Sequence, residues 1–190
     1  DIFDTIVFAN RNIEQVTIPN FIKYIKPNAF EYCDKLKAIE ISENSNLISL
    51  CKNIIRFTSI TNFFIPASVE VIENGWCNYV ENLKTVTVSP SNKNFKYLDD
   101  NKQVIIGKSD KNKEVFDTII FANRDIKQVT IPNFIKYINS SVFENCNQLN
   151  AIEIPEDTEL FEIGKRAFAD SSLKVLNVPK SVTKIHKYAF

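Results

Sequence analysis

Residues 3–25 read FDTIVFANRNIEQVTIPNFIKYI, and residues 116–138 read FDTIIFANRDIKQVTIPNFIKYI. Extended to 3–41 against 116–154, an offset of 113, the match is 28 identities in 39 positions. Self-similarity of this kind constrains the fold more than any other feature. A short copied unit cannot bury its apolar side alone and must stack on its neighbours. The identity extends to polar positions that packing does not demand. It therefore either carries function or records a recent duplication, and one sequence leaves both readings open.

A shorter period runs inside the long one. The pattern L-x-x-I-x-I recurs as Ile13-Val16-Ile18, Leu36-Ile39-Ile41, Ile60-Phe63-Ile65, Leu83-Val86-Val88, Ile126-Val129-Ile131, Leu149-Ile152-Ile154 and Leu173-Leu176-Val178. Successive final residues lie 23, 24, 23, 43, 23 and 24 apart. Two apolar residues spaced by two suit a half-buried strand, whose side chains alternate between faces. Pro or Ser follows each copy (Pro19, Ser42, Pro66, Ser89, Pro132, Pro155, Pro179), where a strand can end without losing a ladder donor. A second apolar pair follows, as in Ile22-Ile25 and Ile135-Ile138, and then an aromatic: Phe30, Trp76, Phe143, Phe168 or Phe190. Ile54 stands where the second unit should carry its aromatic, which marks a degenerate repeat. Stacking such units predicts Ile ladders beside an aromatic spine.

The 43-residue gap holds SPSNKNFKYLDDNKQVIIGKSDKNKEV, residues 89–115. Here NFKYL, QVIIG and FDTIIFA read as short strands separated by DDNK and KSDKNKE. The expected organisation is one solenoid over residues 1–190, interrupted at 89–121 by a β-hairpin island. The opening DIFDTIVFANRNI matches the last strand of such an island. With no Met anywhere, and with the chain starting and stopping inside repeats, the expectation is a piece of a longer protein.

The repeat C-x-x-L-x-x-I-x-I-P-x-x-(V/I)-x-x-I-x-x-x-A-F-x-x-C resembles the BspA-like class of leucine-rich repeats. IPNFIKYIKPNAFEYCDKLKAIEI and IPNFIKYINSSVFENCNQLNAIEI match it most fully. The resemblance implies a β-rich leucine-rich-repeat solenoid of stacked ~23-residue units with a parallel concave sheet. It also implies a cell-surface or secreted protein of mucosal bacteria or parasitic protists, binding host matrix proteins or other cells through protein or glycan contacts. A spacer that projects another domain, or an intracellular scaffold, remains an alternative.

Composition narrows the function classes. Twenty-three basic residues balance 23 acidic ones, so the surplus of cations that backbone recognition of nucleic acid needs is missing. No apolar run reaches the length of a bilayer span. Three scattered glycines, Gly75, Gly107 and Gly164, cannot build a phosphate-cradling loop. No cofactor is implied. His186 is the single histidine, expected to be solvated at the surface; it leaves no ready partner for a nucleophile, so an enzyme is not expected. Cys33, Cys51, Cys77 and Cys146 lack metal-site spacing and read as buried free thiols, a disulfide being the alternative. Asp99, Asp100 and Asp110 read as turn residues, and Asn139-Ser140-Ser141 is a glycosylation sequon that Asn-rich chains produce by chance.

One constellation suggests binding. The residue between the two inward apolars of each strand must face outward, which gives a column Thr17, Glu40, Phe64, Thr87, Thr130, Glu153 and Asn177. Beside it run Gln15, Asn62 and Gln128, with Ala38, Thr85, Ala151 and Val175 between them. This surface is small, polar and poor in Lys, with Phe64 as the best anchor for a ligand. The plainer account is that Thr suits a sheet surface.

Overall fold

The computed structural model describes residues 3–190 and divides into two compact units, 1–96 and 97–190. Each is a stack of turns built on the short sequence period, and no helix occurs among the described residues.

In the first unit, each turn contributes a long strand and then a short one. The long strands are β2 (Gln15–Ile18), β4 (Ala38–Ile41), β6 (Asn62–Ile65) and β8 (Thr85–Val88); the short ones are β1 (Thr5–Ile6), β3 (Tyr24–Ile25), β5 (Ser49–Leu50) and β7 (Val71–Ile72). The long strands pair in parallel as β2–β4 and β6–β8, the short ones as β1–β3 and β5–β7. The long-strand face is thus a set of two-stranded ladders; between β4 and β6 the turns are joined outside the ladders, where Ser59 N–H donates to Leu36 O at 3.0 Å. The second apolar residue of each L-x-x-I-x-I copy faces inward with the third. Ile18, Leu36, Ile60, Phe63, Ile65, Leu83 and Val86 are all buried.

The second unit starts in β9 (Phe95–Tyr97), the strand in which the chain leaves the first. Its main sheet has the order β16-β15-β13-β11-β10-β9, formed with β10 (Val104–Gly107), β11 (Thr118–Ala122), β13 (Tyr137–Ile138), β15 (Glu162–Ile163) and β16 (Lys184–Ile185). β10 runs antiparallel to β11, whereas β11, β13, β15 and β16 are parallel neighbours. Every residue of β10 and β11 is buried, and Val104, Ile106, Ile119 and Ala122 belong to the unit's hydrophobic core. The long strands β12 (Gln128–Thr130) and β14 (Ala151–Glu153) form a separate parallel pair. The last copy of the pattern departs from expectation. Leu173 and Leu176 are half-buried, but no strand forms there and Val175 is 73% exposed. That stretch is reached by Ser172 N–H donating to Cys146 O at 3.2 Å, one rung rather than a ladder.

The third side of each turn is held without strands. Asn28, Tyr32, Asn53, Phe57, Tyr79, Ser141, Asn145, Arg166, Asp170 and Tyr188 all have φ between 55° and 61°. Left-handed residues turn alternate amides the same way, so each turn can donate to the next. Phe30 N–H donates to Ile54 O at 3.0 Å, Tyr32 to Arg56 O at 3.0 Å, Phe143 to Ala167 O at 2.7 Å and Asn145 to Ala169 O at 3.1 Å. Ile54 thus holds the aromatic's place in the backbone register, and it is buried. Phe143, Phe168 and Phe190 stack at 5.2 and 5.4 Å with interplanar angles of 4° and 8°. Phe190 remains 60% exposed despite that stacking. Where Gly164 lies, an added Cβ would stand 2.5 Å from Ser140 N, so the close approach of adjacent turns there requires glycine.

Candidate functional site

The ten residues singled out from the sequence lie on long-strand positions, with one exception. Gln15, Thr17, Glu40, Asn62, Phe64 and Thr87 belong to the first unit; Gln128, Thr130 and Glu153 belong to the second. Asn177, the exception, is exposed in the strandless stretch. Parallel register sets Gln15 beside Ala38, Thr17 beside Glu40, Asn62 beside Thr85 and Phe64 beside Thr87. In the second unit it sets Gln128 beside Ala151 and Thr130 beside Glu153. All ten are exposed except Phe64, which is half-buried.

Register brings matching chemistry together in both units. Thr17 Oγ1 donates to Glu40 Oε2 at 2.7 Å, and Thr130 Oγ1 donates to Glu153 Oε2 at 3.1 Å. Each hydroxyl fixes its carboxylate and leaves the second carboxylate oxygen open to a ligand. In the first unit Thr85 Oγ1 donates to Asn62 Oδ1, and Asn62 Nδ2 donates to Thr61 Oγ1 at 3.0 Å.

In the second unit the long-strand face forms one wall of a cleft of about 930 Å³. Gln128, Thr130, Ala151 and Glu153 come from β12 and β14; Leu98, Asp99, Asn101 and Gln103 come from the connection between β9 and β10. Sequence reasoning singled out Gln128, Thr130 and Glu153 but missed the opposite wall. The DDNK segment shows only that a turn is there, and nothing in its local pattern says which face it overhangs.

Other candidate groups are tied into the fold. His186 differs from the solvated state expected of it. Its Nε2 lies 2.6 Å from Glu162 Oε1, and Lys184 Nζ lies 3.2 Å from Glu162 Oε2. Burial pushes the Glu162 carboxyl up, but the hydrogen bonds from His186 and Lys184 outweigh it and hold the group below its ordinary range. All four cysteines are free thiols. Cys33, Cys77 and Cys146 are buried, while Cys51 is only half-buried. Asp110 Oδ1 accepts from Asn112 N–H at 3.0 Å, an Asx turn. In the sequon, Ser141 is fully buried and its N–H donates to Lys165 O at 3.0 Å. Among the described residues no group of three or more His, Cys, Asp or Glu is arranged to hold a metal ion, and no helix is long and apolar enough to cross a membrane.

A polar shell that sequence reasoning missed lies on the left-handed side of the turns. Arg56 Nη1 donates to Glu31 Oε1 at 2.7 Å, with its guanidinium 4.4 Å from the Phe57 ring centre and 4.8 Å from that of Tyr79. Tyr32 stacks on Phe57 at 4.9 Å. In the second unit Arg166 Nε donates to Glu144 Oε1 at 2.6 Å. The carboxylate recurs, paired with an arginine from a different position of the turn, since Ala169 is the counterpart of Arg56. The aromatics do not recur, because Asn145 and Asp170 take their places.

Stacked turns of this period, with parallel strands on two sides and left-handed amide ladders on the third, define a leucine-rich-repeat solenoid. The chain belongs to the BspA-type leucine-rich-repeat family, whose model matches residues 2–102 and 95–190 in six copies. It is similar to the pneumococcal vaccine antigen PcpA at TM-score 0.76 and 24% identity, covering 90% of this chain and 40% of that one. It is also similar to a leucine-rich cell-surface protein of Faecalibacterium prausnitzii, at TM-score 0.67 and 22% identity, with 94% of this chain and 51% of that one covered. A leucine-rich-repeat protein of Eubacterium ventriosum gives TM-score 0.67 and 22% identity, covering 92% and 50%. At these identities the likeness concerns the fold, and the chain spans about half or less of each of those proteins. No curated protein matches the sequence.

Proposed function

We propose that this chain is a recognition module of a cell-surface or secreted repeat protein and binds other proteins through its long-strand face. The observation that carries this reading is the repeated Thr–Glu pair. Thr17–Glu40 and Thr130–Glu153 present the same fixed carboxylate at the same register position in the two units. Neither pair contributes to the core, so packing does not require them. Weak contacts repeated on linked units gain strength by avidity. The family and the Faecalibacterium neighbour, itself described as a cell-surface protein, support a surface location. Binding rather than catalysis is the role we propose, in keeping with the repeat family to which the chain belongs.

The test is adhesion of chain-coated fluorescent beads to an epithelial monolayer. Phe64→Ala and Glu40→Lys are expected to reduce bead retention severalfold while leaving the thermal transition within a few degrees of the parent. Retention unchanged by both, with the fold intact, would sink the reading and favour a spacer.

A further inference from the structure

We infer that the cleft of the second unit takes an extended, lysine- or arginine-bearing peptide segment. This deepens the recognition role proposed above and rests on it.

The cleft's volume, about 930 Å³, is that of a site for several residues of chain rather than for an ion or a single side chain. Its charge is unbalanced: Asp99, Asp125 and Glu153 face it against Lys127 alone, a net of −2 (one cation less three anions) on a chain that is neutral as a whole. Asp99 and Asp125 form no ion pair among the described residues, so their carboxylates are available. Glu153 is held by Thr130 through one oxygen only.

The cleft also has apolar floor residues: Leu98 and Ala151 are half-buried, while Val104, Ile126 and Val129 line it but are buried. Aliphatic lysine or arginine stems lie well on such a floor while the charged head reaches a rim carboxylate. Four side-chain amides, Asn101, Gln103, Gln128 and Gln148, line the same space. Each offers both donors and an acceptor, which matches the alternating N–H and C=O groups of an extended backbone. A sugar ring would call for an aromatic face to stack on, and no aromatic side chain lines the cleft.

Asn12 and Lys35 in the first unit correspond to Asp125 and Gln148 in the second, which removes one cation and adds one anion. The change of Glu14 to Lys127 cancels that difference, so the twin positions carry equal net charge. Asp99 and Asn101 reach the cleft from the connection between β9 and β10.

The experiment is fluorescence anisotropy on the 190-residue chain with a labelled alternating Ala-Lys heptapeptide, its Ala-Glu counterpart, and spermine as competitor. The lysine peptide is expected to bind, with affinity falling as NaCl is raised. The double variant Asp99→Asn/Asp125→Asn should weaken it by about tenfold, the sum of two rim charge contacts. Gln148→Lys should weaken it with both carboxylates in place. The double variant Asp99→Lys/Asp125→Lys should bind the glutamate peptide in its stead. Glu156→Gln, exposed but outside the cleft, should change nothing. Thermal melts confirm that each variant folds. Three outcomes would overturn the inference: equal peptide binding by parent and double variant, displacement by spermine at the peptide's own affinity, or a glycan array signal lost in the double variant with the peptide silent. Bead adhesion separates the two proposals. Adhesion that depends on Phe64 and Glu40 without any peptide binding leaves the recognition role standing and removes only this ligand class.

Discussion

Arg11 and Arg124 show what a shared polar residue in the twin stretches is for. Arg124 Nη1 donates to Val142 O at 2.6 Å and Ala122 O at 3.1 Å, and its Nη2 donates to Ser141 O at 3.1 Å. Its guanidinium also lies 4.5 Å from the Phe121 ring centre. Arg11 donates to a different carbonyl, Glu31 O. The contact the two arginines share is with a cysteine Sγ at 3.8 Å, Cys33 for Arg11 and Cys146 for Arg124. The left-handed turns donate their amides onward, so carbonyls on the preceding side need donors, and the arginine supplies them. In Arg124→Met those buried acceptors lose a charged partner, and the expected cost is about 2 kcal/mol in urea denaturation. The cysteines make a second residue-scale prediction. Burial pushes the Cys51 and Cys146 thiols up, with Ser49 partly offsetting the first and Arg124 the second. N-ethylmaleimide should therefore modify Cys51 first in the native protein, slowly at neutral pH and faster as pH rises. Cys33, Cys77 and Cys146 should react only after unfolding, as read by mass spectrometry.

A strand of this repeat is buried on both faces where another strand is laid along it. β11 has β10 along it, and Ile120 and Phe121 are 3% and 0% exposed. At the β15–β16 edge, Glu162 accepts from both Lys184 and His186. Its carboxyl titrates below the ordinary value, so the native state binds fewer protons than the unfolded chain where that group ionises. The pair's contribution is present above the unfolded pKa and is lost as pH falls through the lower folded one. Glu162→Gln should accordingly flatten the loss of stability between roughly pH 5 and pH 3, followed as the thermal midpoint against pH. A variant whose acid limb parallels the parent's would contradict this.

At the scale of the whole molecule, 23 cations against 23 anions leave no net charge at neutral pH. Repulsion between copies is then at its weakest. Solubility at low salt should pass through a minimum near pH 7 and rise on both sides, as read by light scattering across a pH series. The same neutrality makes the local excess of carboxylate in the second unit's cleft a feature of arrangement rather than composition.

The period, the inward ladders and the strands around Val16, Ile39, Phe63 and Val86 were legible in the sequence because each rests on neighbours within a few residues. So was the placement of Thr17 beside Glu40, since the spacing of 23 between those two copies sets each residue beside its counterpart. The amide ladders of the left-handed turns were not legible. Tyr32 and Phe57 are poor candidates for positive φ, and donation to the next turn, to Arg56 O and Tyr79 O, holds them there. Nor was the state of His186, whose carboxylate partner is 24 residues away on an adjacent turn. The sequence by itself determined a stack of β-turn units, its spacing and its core. Only the tertiary structure decided where the connection after β9 lies, and so brought Asp99 to the same cleft as Glu153. A repeat specifies contacts between its copies through their common period, whereas a loop that leaves the period is placed by packing alone.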